Sequence, residues 1–539
     1  MRIDPIHLHN QSNLINDYRY NKNKIIQFFD YQPFSDSRQR VEDLKERSFD
    51  REQLTTVLEK INKEWDAPES TFQNINRLKK EDSTVVIGGQ QAGLMTGPMY
   101  SINKVISIIQ LAKQKEEELK TPVIPVFWIA GEDHDFDEIN HVYLPDVPKM
   151  KKYKLIQEVV QKSSVSDLKI DEIKSSQWLH SLFEDLTETE FTNDLYALVK
   201  GCLDQSATYV DFFARVIFQL FEEDGLVLID SGHPLVRRME SGYFIQLIER
   251  QPEISKGVYR ALKGLEEENY SIALDAEPDD AHLFYHHNGE RVLLTRTEDG
   301  KWIGKQNEVI FTTDELIAIA KEQPELLSNN VVTRPLMQEL LFPSLAFIGG
   351  PGEISYWSVL KPVFLAFQIK MPPVFPRLSF TYLTRNTEKA LKKYDITTEH
   401  AINKGVSDIK NNWLMSKNEP SIDKIAEDIK QAIERAHQPL REIANEMRSD
   451  LGALAKKNLY YLHSNVDYLE DRIIKAMKEK YDKELYEFDL LNIALRPAEG
   501  LQERVWNPLP WLNEYGIDFI RRLAKETCSF ENEHYAVYM

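Results

Sequence analysis

Cysteine is almost missing from this chain of 539 residues, where only Cys202 and Cys528 occur. Two thiols build neither a disulfide framework nor a cysteine-rich zinc site, and they suit a reducing compartment. Long apolar runs are missing too. No stretch reaches the roughly 18 residues that a membrane-crossing helix needs. The opening MRIDPIHLHNQSNLINDY is polar throughout, unlike a signal peptide. The expected location is the cytoplasm. Positive charge is in deficit: 66 Lys and Arg stand against 86 Asp and Glu, a net charge of -20. Such a chain repels phosphate backbones, so neither nucleic acid nor a membrane is expected as a partner. A local basic pocket for a small anion stays compatible with that balance. Neither GxGxxG nor GxxxxGK[ST] occurs at the glycine-rich strand ends described below, which disfavours a standard dinucleotide site or phosphate loop there.

What is present is ordinary globular material, 42% hydrophobic and 28% charged, in a length that calls for several domains. Residues 1–80 read as mixed and mostly helical. Short apolar runs follow at Thr84–Ile87, Val123–Ile129, Gly225–Ile229 and Ser344–Ile348, with a weaker one at Pro373–Phe375. Runs of this kind are typical of parallel strands buried on both faces. A helical pattern with Ile102, Val105, Ile106 and Ile109 follows the first, so the expected fold is α/β with a doubly wound parallel core. Two stretches interrupt it. The first is charged and helical in texture. The second carries Asn288-Gly289 and Asp299-Gly300 between apolar runs, which predicts a small antiparallel sheet. After Arg385 glycine thins out. Ile422, Ile425, Ile429, Ala432 and Ala436 follow heptad spacing, and so do Leu462, Val466, Leu469, Ile473 and Ala476. Two long helices folded back as a hairpin are expected, with Pro439 near an end or at a kink. The divisions expected are a core with N-terminal helices at 1–144, an insertion at 145–205, core at 206–256, a second insertion at 257–325 and core at 326–385. A coiled-coil dimerisation arm at 386–488 and a returning segment at 489–539 complete the chain.

Chemistry is expected in the loops after the core strands, since open α/β sheets bind ligands beyond the carboxyl ends of their strands. GGQQAGLMTGPMY, residues 88–100, supplies Gln90, Gln91, Gly93 and Thr96, with Lys104 further into the helix. Glycine allows close backbone approach there, and the free N–H groups of a helix start favour a carboxylate or phosphate. A purely structural turn is the competing reading. FWIAGEDHDFDEINHV places Glu132, Asp133 and His134 after the second strand. Carboxylates and imidazoles can ligate a divalent metal, but binding or proton transfer without metal is favoured, and no metal is assigned. LIDSGHP offers Ser231 and His233; three neighbours in one short loop rarely form a catalytic triad, so substrate contact is the better reading. FIGGPGEISYW adds Glu353 and Tyr356, and PPVFPRLSF adds Arg377 as an anion partner. Together these loops imply one cleft with convergent polar groups.

The segments VIGGQQAGLMTGPMYSINK, PVFWIAGEDHDFDEINHV, LIDSGHP, IGGPGEISYW and RPAEGLQERVWNPLPWL resemble, in the same order, those of the bacillithiol biosynthesis cysteine-adding enzymes, the BshC family. The resemblance spans essentially the whole chain. It implies a Rossmann-type core like that of class I aminoacyl-tRNA synthetases, two connective insertions and a coiled coil that makes a homodimer. It also implies an adenine nucleotide, ATP or ADP, and the last step of bacillithiol synthesis, in which the carboxyl of cysteine is joined to the amine of glucosaminyl malate. The turn that would correspond to the HxGH motif of those synthetases lacks both histidines here. On this reading Gln91, Glu132, Asp133 and His134 carry the chemistry, with Glu132 or Asp133 orienting the amine or acting as base. Gln90, Gly93, Thr96, Ser231, His233, Glu353, Tyr356 and Arg377 would hold substrate, and Trp506 and Asn507 would wall a nucleotide pocket. The alternatives are a nucleotidyl transferase, a metal-dependent hydrolase built on GEDHDFDE and a non-catalytic scaffold.

Overall fold

The computed structural model describes residues 1–133, 135–158, 163–417 and 421–539. Five parallel strands form its core: β1 (Thr84–Gln90), β2 (Val123–Ile129), β3 (Val227–Asp230), β4 (Ser344–Gly349) and β5 (Val374–Pro376). Their order in the sheet is β5-β4-β1-β2-β3. The strands are the five apolar runs of the sequence, and they are buried because helices cover both faces. The chain places β2 and β3 on one side of β1, then returns to place β4 and β5 on the other. The connections therefore diverge between β1 and β4, and a crevice opens beyond their carboxyl ends. Glycine at 89 has a local cause: a Cβ there would lie 2.6 Å from the carbonyl oxygen of Trp128 on the neighbouring strand.

Helix α1 (Met99–Leu119) follows β1 and buries Ile102, Val105, Ile106 and Ile109. Its other side meets the C-terminal segment. The Met99 amide donates to the Trp506 carbonyl at 2.7 Å, and the Gln110 side chain donates to the Leu523 carbonyl at 2.9 Å. After β3 comes α2 (Pro234–Glu267), a single helix of 34 residues that passes unbroken through 256–257, where the sequence suggested a change of unit. Helix α3 (Thr333–Leu341) precedes β4, and the short α4 (Pro351–Trp357) follows it.

The first interruption opens with an antiparallel hairpin, His141–Asp146 with Lys149–Lys154, before its helices Glu172–Glu184 and Thr192–Asp204. The second strand, KMKKYK, lacks the apolar alternation that would mark it, whereas Val142 and Leu144 alternate in the first and are buried. The second is a five-stranded sheet, with Asp280–His287 and Glu290–Arg296 joined through Asn288 and Gly289, both at positive φ. A further sheet of three strands pairs Arg2–Ile6 with His534–Tyr538 and that strand with Phe380–Leu383.

The arm is a helical hairpin of α5 (Ile422–Met447) and α6 (Ser449–Lys480), and α7 (Asp482–Leu495) leads back to the core. Pro439 lies inside α5 and does not end it. The hairpin buries Ala426, His437 and Leu459 between its helices, while the heptad residues Ile425, Ile429, Leu469 and Ile473 are exposed. These four heptad positions are thus left uncovered by the hairpin, while the heptad residue Ile422 is buried in a cluster with Met477.

Candidate active site at the switch point

A cavity of about 380 Å³ lies at the divergence of β1 and β4. The end of β1 contributes Gln90, the loop after it Gln91, and α1 contributes Tyr100 and Lys104. Asp133 comes from the end of β2, Arg334 and Gln338 from α3, and Glu353 and Tyr356 from α4. Arg377 follows β5, and Arg504 arrives from the C-terminal segment. Trp128, Val331, Pro335 and Phe347 supply apolar surface.

Three ion-pair systems organise this wall. Lys104 is buried, with its Nζ 2.6 Å from the Gly89 carbonyl, 3.2 Å from Gln90 Oε1 and 2.5 Å from Glu353 Oε2. Burial pulls its amine below the usual value, and Glu353 opposes that pull. Glu353 Oε2 also accepts from the Gly350 amide at 2.8 Å, so this carboxylate ties α1 to the start of α4. Arg377 makes a two-pronged contact with Glu503, at 2.6 and 2.7 Å, and Asn103 donates to the same carboxylate at 2.6 Å. Burial by itself would raise Glu503; Arg377 brings it down to about 2.

The third system surrounds Glu132 and Asp133. Glu132 is fully buried. One oxygen accepts from Arg334 Nε at 2.7 Å, the other from Arg237 Nη2 at 2.6 Å. Burial favours its neutral form, but Arg334 and Arg237 hold the carboxyl at about 2. A carboxylate so engaged is a poor base, and both of its oxygens are committed to guanidinium groups, away from an amine or a metal. Asp133 lies nearer the cavity. Its Oδ1 accepts from Arg334 Nη2 at 3.0 Å and Arg291 Nη1 at 3.2 Å, and Gln91 Nε2 is 3.4 Å from Oδ2. Behind Arg237 lies Glu240, which burial raises to about 8 against the pull of Arg237. Arg237 Nη1 donates to Glu240 Oε2 at 3.0 Å, so Arg237, Arg291 and Arg334 share one network with Glu132, Asp133 and Glu240. Lys104, Arg334, Arg377 and Arg504 bring four cationic side chains to the lining of a cavity in an acidic protein.

Of the residues that the sequence singled out, Gln90, Gln91, Asp133, Glu353, Tyr356 and Arg377 line this cavity together. His134 lies outside the described residues. Gly93 and Thr96 belong to a turn packed on itself: a Cβ on Gly93 would sit 2.6 Å from Gly97 Cα, and Thr96 is buried at φ 69°. Ser231 is buried, with its amide bonded to the Ile129 carbonyl at 3.0 Å. His233 starts α2, where Nδ1 accepts from the Leu235 amide at 3.1 Å and Nε2 is 3.3 Å from Glu64. Trp506 is buried and its indole N–H donates to the Ile493 carbonyl at 3.0 Å; Asn507 Oδ1 accepts from the Leu509 amide at 2.8 Å. Arg334, Gln338, Tyr100 and Arg504 are cavity residues that the sequence reading passed over. Arg504 and Tyr100 lie inside segments it quoted, whereas α3 carries no strand-end signal. Among the described residues no group of three or more His, Cys, Asp or Glu is placed to hold a metal ion.

The strand order and the crevice at its reversal define a Rossmann-like protein with a helical-hairpin appendage. Two family models divide the chain between them. Residues 1–378 match the bacillithiol biosynthesis BshC N-terminal Rossmann-like domain, and residues 380–539 match the BshC C-terminal coiled-coil domain. The chain belongs to the BshC family. Among its relatives, a protein of Oceanobacillus iheyensis named "Putative cysteine ligase BshC" is 43% identical, with all of both chains covered. Proteins of the same name from Bacillus licheniformis (39%, all of both chains) and Bacillus cytotoxicus (40%, 97% of each) are similarly close.

Proposed function

We propose that this protein is a cysteine ligase of bacillithiol biosynthesis, forming an amide between the carboxyl of cysteine and the amine of glucosaminyl malate in the switch-point cavity. The observation that carries this reading is the convergence of Lys104, Arg334, Arg377 and Arg504 on one cavity of a strongly acidic chain. That convergence suits the two carboxylates of a malate group. Asp133 and Glu353 are the carboxylates on the same wall, suited to hold an ammonium group. Gln91, between Asp133 and Glu138 Oε2 at 3.2 Å, is suited to orient the amine or the acyl oxygen. The Rossmann-like core is read here as being of the class I synthetase type.

Joining a carboxylate to an amine requires activation, and an adenine nucleotide is proposed as its source. Trp506 does not fit as the wall of a nucleotide pocket, because the ring is buried and its N–H is bonded within the protein. The arm is proposed to make a homodimer; its exposed heptad face supports this, as a seam that the hairpin does not cover. The cytoplasm is the proposed location, and no helix among the described residues is long and apolar enough to cross a membrane. The test is reconstitution from purified protein, cysteine, glucosaminyl malate and ATP, scored by bacillithiol mass and by nucleotide products. Absence of bacillithiol with all components present would overturn the proposal.

A further inference from the structure

Four cationic side chains line the cavity, and the protein treats one of them differently. Lys104 is paired with Glu353, Arg377 with Glu503, and Arg334 with Glu132 and Asp133. The Arg504 side chain is exposed and has no ion pair, hydrogen bond or ring contact with any described residue. An unpaired arginine is ordinary on an open surface, where water is its partner. Arg504 is set apart by its place on the cavity lining and by how firmly its backbone is held.

The short turn Gln502–Arg504 carries it. Gln502 is buried and bonds to both the amide and the carbonyl of Tyr382, at 2.8 and 2.9 Å. Glu503 is held by Arg377 and Asn103. Two residues beyond Arg504, the Trp506 carbonyl accepts from the Met99 amide at 2.7 Å. The bonds from Met99 and Asn103 bracket Tyr100 on α1, and their acceptors on Trp506 and Glu503 bracket Arg504 on the turn. The two segments are thus joined on either side of these two lining residues. Burial raises the Tyr100 phenol, and Arg504 is the foremost charge opposing that rise, as a cation nearby must do. A guanidinium left free on a backbone so fixed is organised before any ligand arrives.

Its planar fork of N–H donors matches the two oxygens of a carboxylate. Of the proposed reactants, cysteine brings one carboxylate, and amide formation consumes its charge. Malate brings two that do not react, so a cation facing one of them keeps its partner from binding through to product. We propose that Arg504 binds one carboxylate of the malate portion of the substrate and so selects for substrates that carry that acid. This rests on the reading of the cavity as the site for glucosaminyl malate. The cavity is then completed from beyond the helical arm, by a residue that takes no part in bond formation.

The test crosses one variant with two substrate analogues. Full-length wild type and Arg504→Gln are assayed with glucosaminyl malate and with its two monoamides, each of which neutralises one malate carboxylate. Arg504 lends the fold no side-chain contact, so Arg504→Gln should keep the wild-type unfolding midpoint. With wild type, one of the monoamides should raise KM by about tenfold to a hundredfold. Arg504→Gln should raise KM for glucosaminyl malate by a similar factor and lose nothing further with that monoamide. Its kcat, and its KM for cysteine and for ATP, should stay within about twofold of wild type. The assignment of Arg504 is overturned by a wild-type KM for glucosaminyl malate in the variant, by equal further losses on both monoamides, or by a loss that falls on ATP or cysteine instead. Two monoamides that serve the wild type as well as the parent overturn it without any variant. Failure of the wild type to turn over glucosaminyl malate removes the reading of the cavity itself.

Discussion

Arg334 reaches Glu132 through Nε at 2.7 Å and Asp133 through Nη2 at 3.0 Å, so one guanidinium joins a buried carboxylate to one on the cavity wall. Each of the adjacent acids meets two arginines, and they differ in burial: Glu132 is enclosed while Asp133 borders open space. The arrangement fixes Arg334 from behind.

Removing the charge of Glu132 should therefore cost stability. Glu132→Gln leaves Arg237 and Arg334 buried without their shared anion, and breaking such a pair costs about 3–5 kcal/mol. Urea unfolding followed by circular dichroism measures this. An unchanged midpoint would show that the pair adds nothing.

The carboxyls predict two separate pH effects. Glu240 has its folded value raised from 4.5 to about 8, so the folded state holds this proton more tightly than the unfolded chain. Its contribution is complete below about pH 4.5 and is lost as pH rises to about 8, at no more than about 1.4 kcal/mol per pH unit. Glu132 and Glu503 are depressed to about 2, so their contribution is present above about pH 4.5 and is lost as pH falls towards 2. Glu240→Gln should flatten the first window and leave the second. Denaturation of both proteins from about pH 2 to about pH 9 tests the assignment.

Lys104 and Gln91 give the activity predictions. Lys104→Met strands Glu353 at the mouth of α4 and should lower kcat/KM for bacillithiol formation by about a hundredfold, as truncating one member of a buried pair does. Gln91→Ala should abolish turnover while the unfolding midpoint stays within about 0.5 kcal/mol of wild type, since the side chain is only partly buried. Wild-type turnover in both variants would remove the proposed site.

The arm makes a prediction about assembly. Replacing Ile425, Ile429, Leu469 and Ile473 by glutamate puts charge on the exposed face and leaves the buried hairpin residues Ala426, His437 and Leu459 intact. Light scattering should then show a monomer where the wild type gives a dimer, with helix content retained. A wild-type monomer at micromolar concentration would overturn the proposed dimer.

Much of the core is legible because its strands are buried on both faces, which forces unbroken apolar runs such as Val123–Ile129. Strand-end position then leads to Gln90, Gln91, Asp133, Glu353 and Arg377. Other residues give no local sign. Arg334 and Gln338 lie on an amphipathic helix, TRPLMQELL, whose sequence describes its own packing and not the cavity beside it. The fate of Glu132 depends on Arg237 and Arg334, which are 105 and 202 residues away. The pairing of Arg2–Ile6 with His534–Tyr538 joins distant strands in the same way. Periodicity reports which face of an element is buried, and is silent about what buries it.

The bond from Asn103 to Glu503 spans 400 residues. On a ribosome, the first core strand and α1 emerge long before the segment that carries Glu503 and Arg504, with the whole helical arm made in between. Arg377 would meanwhile wait without its carboxylate, and that side of the pocket would stand open. The pocket would close only late in translation, so a nascent chain would carry a nearly complete sheet well before it had a working wall.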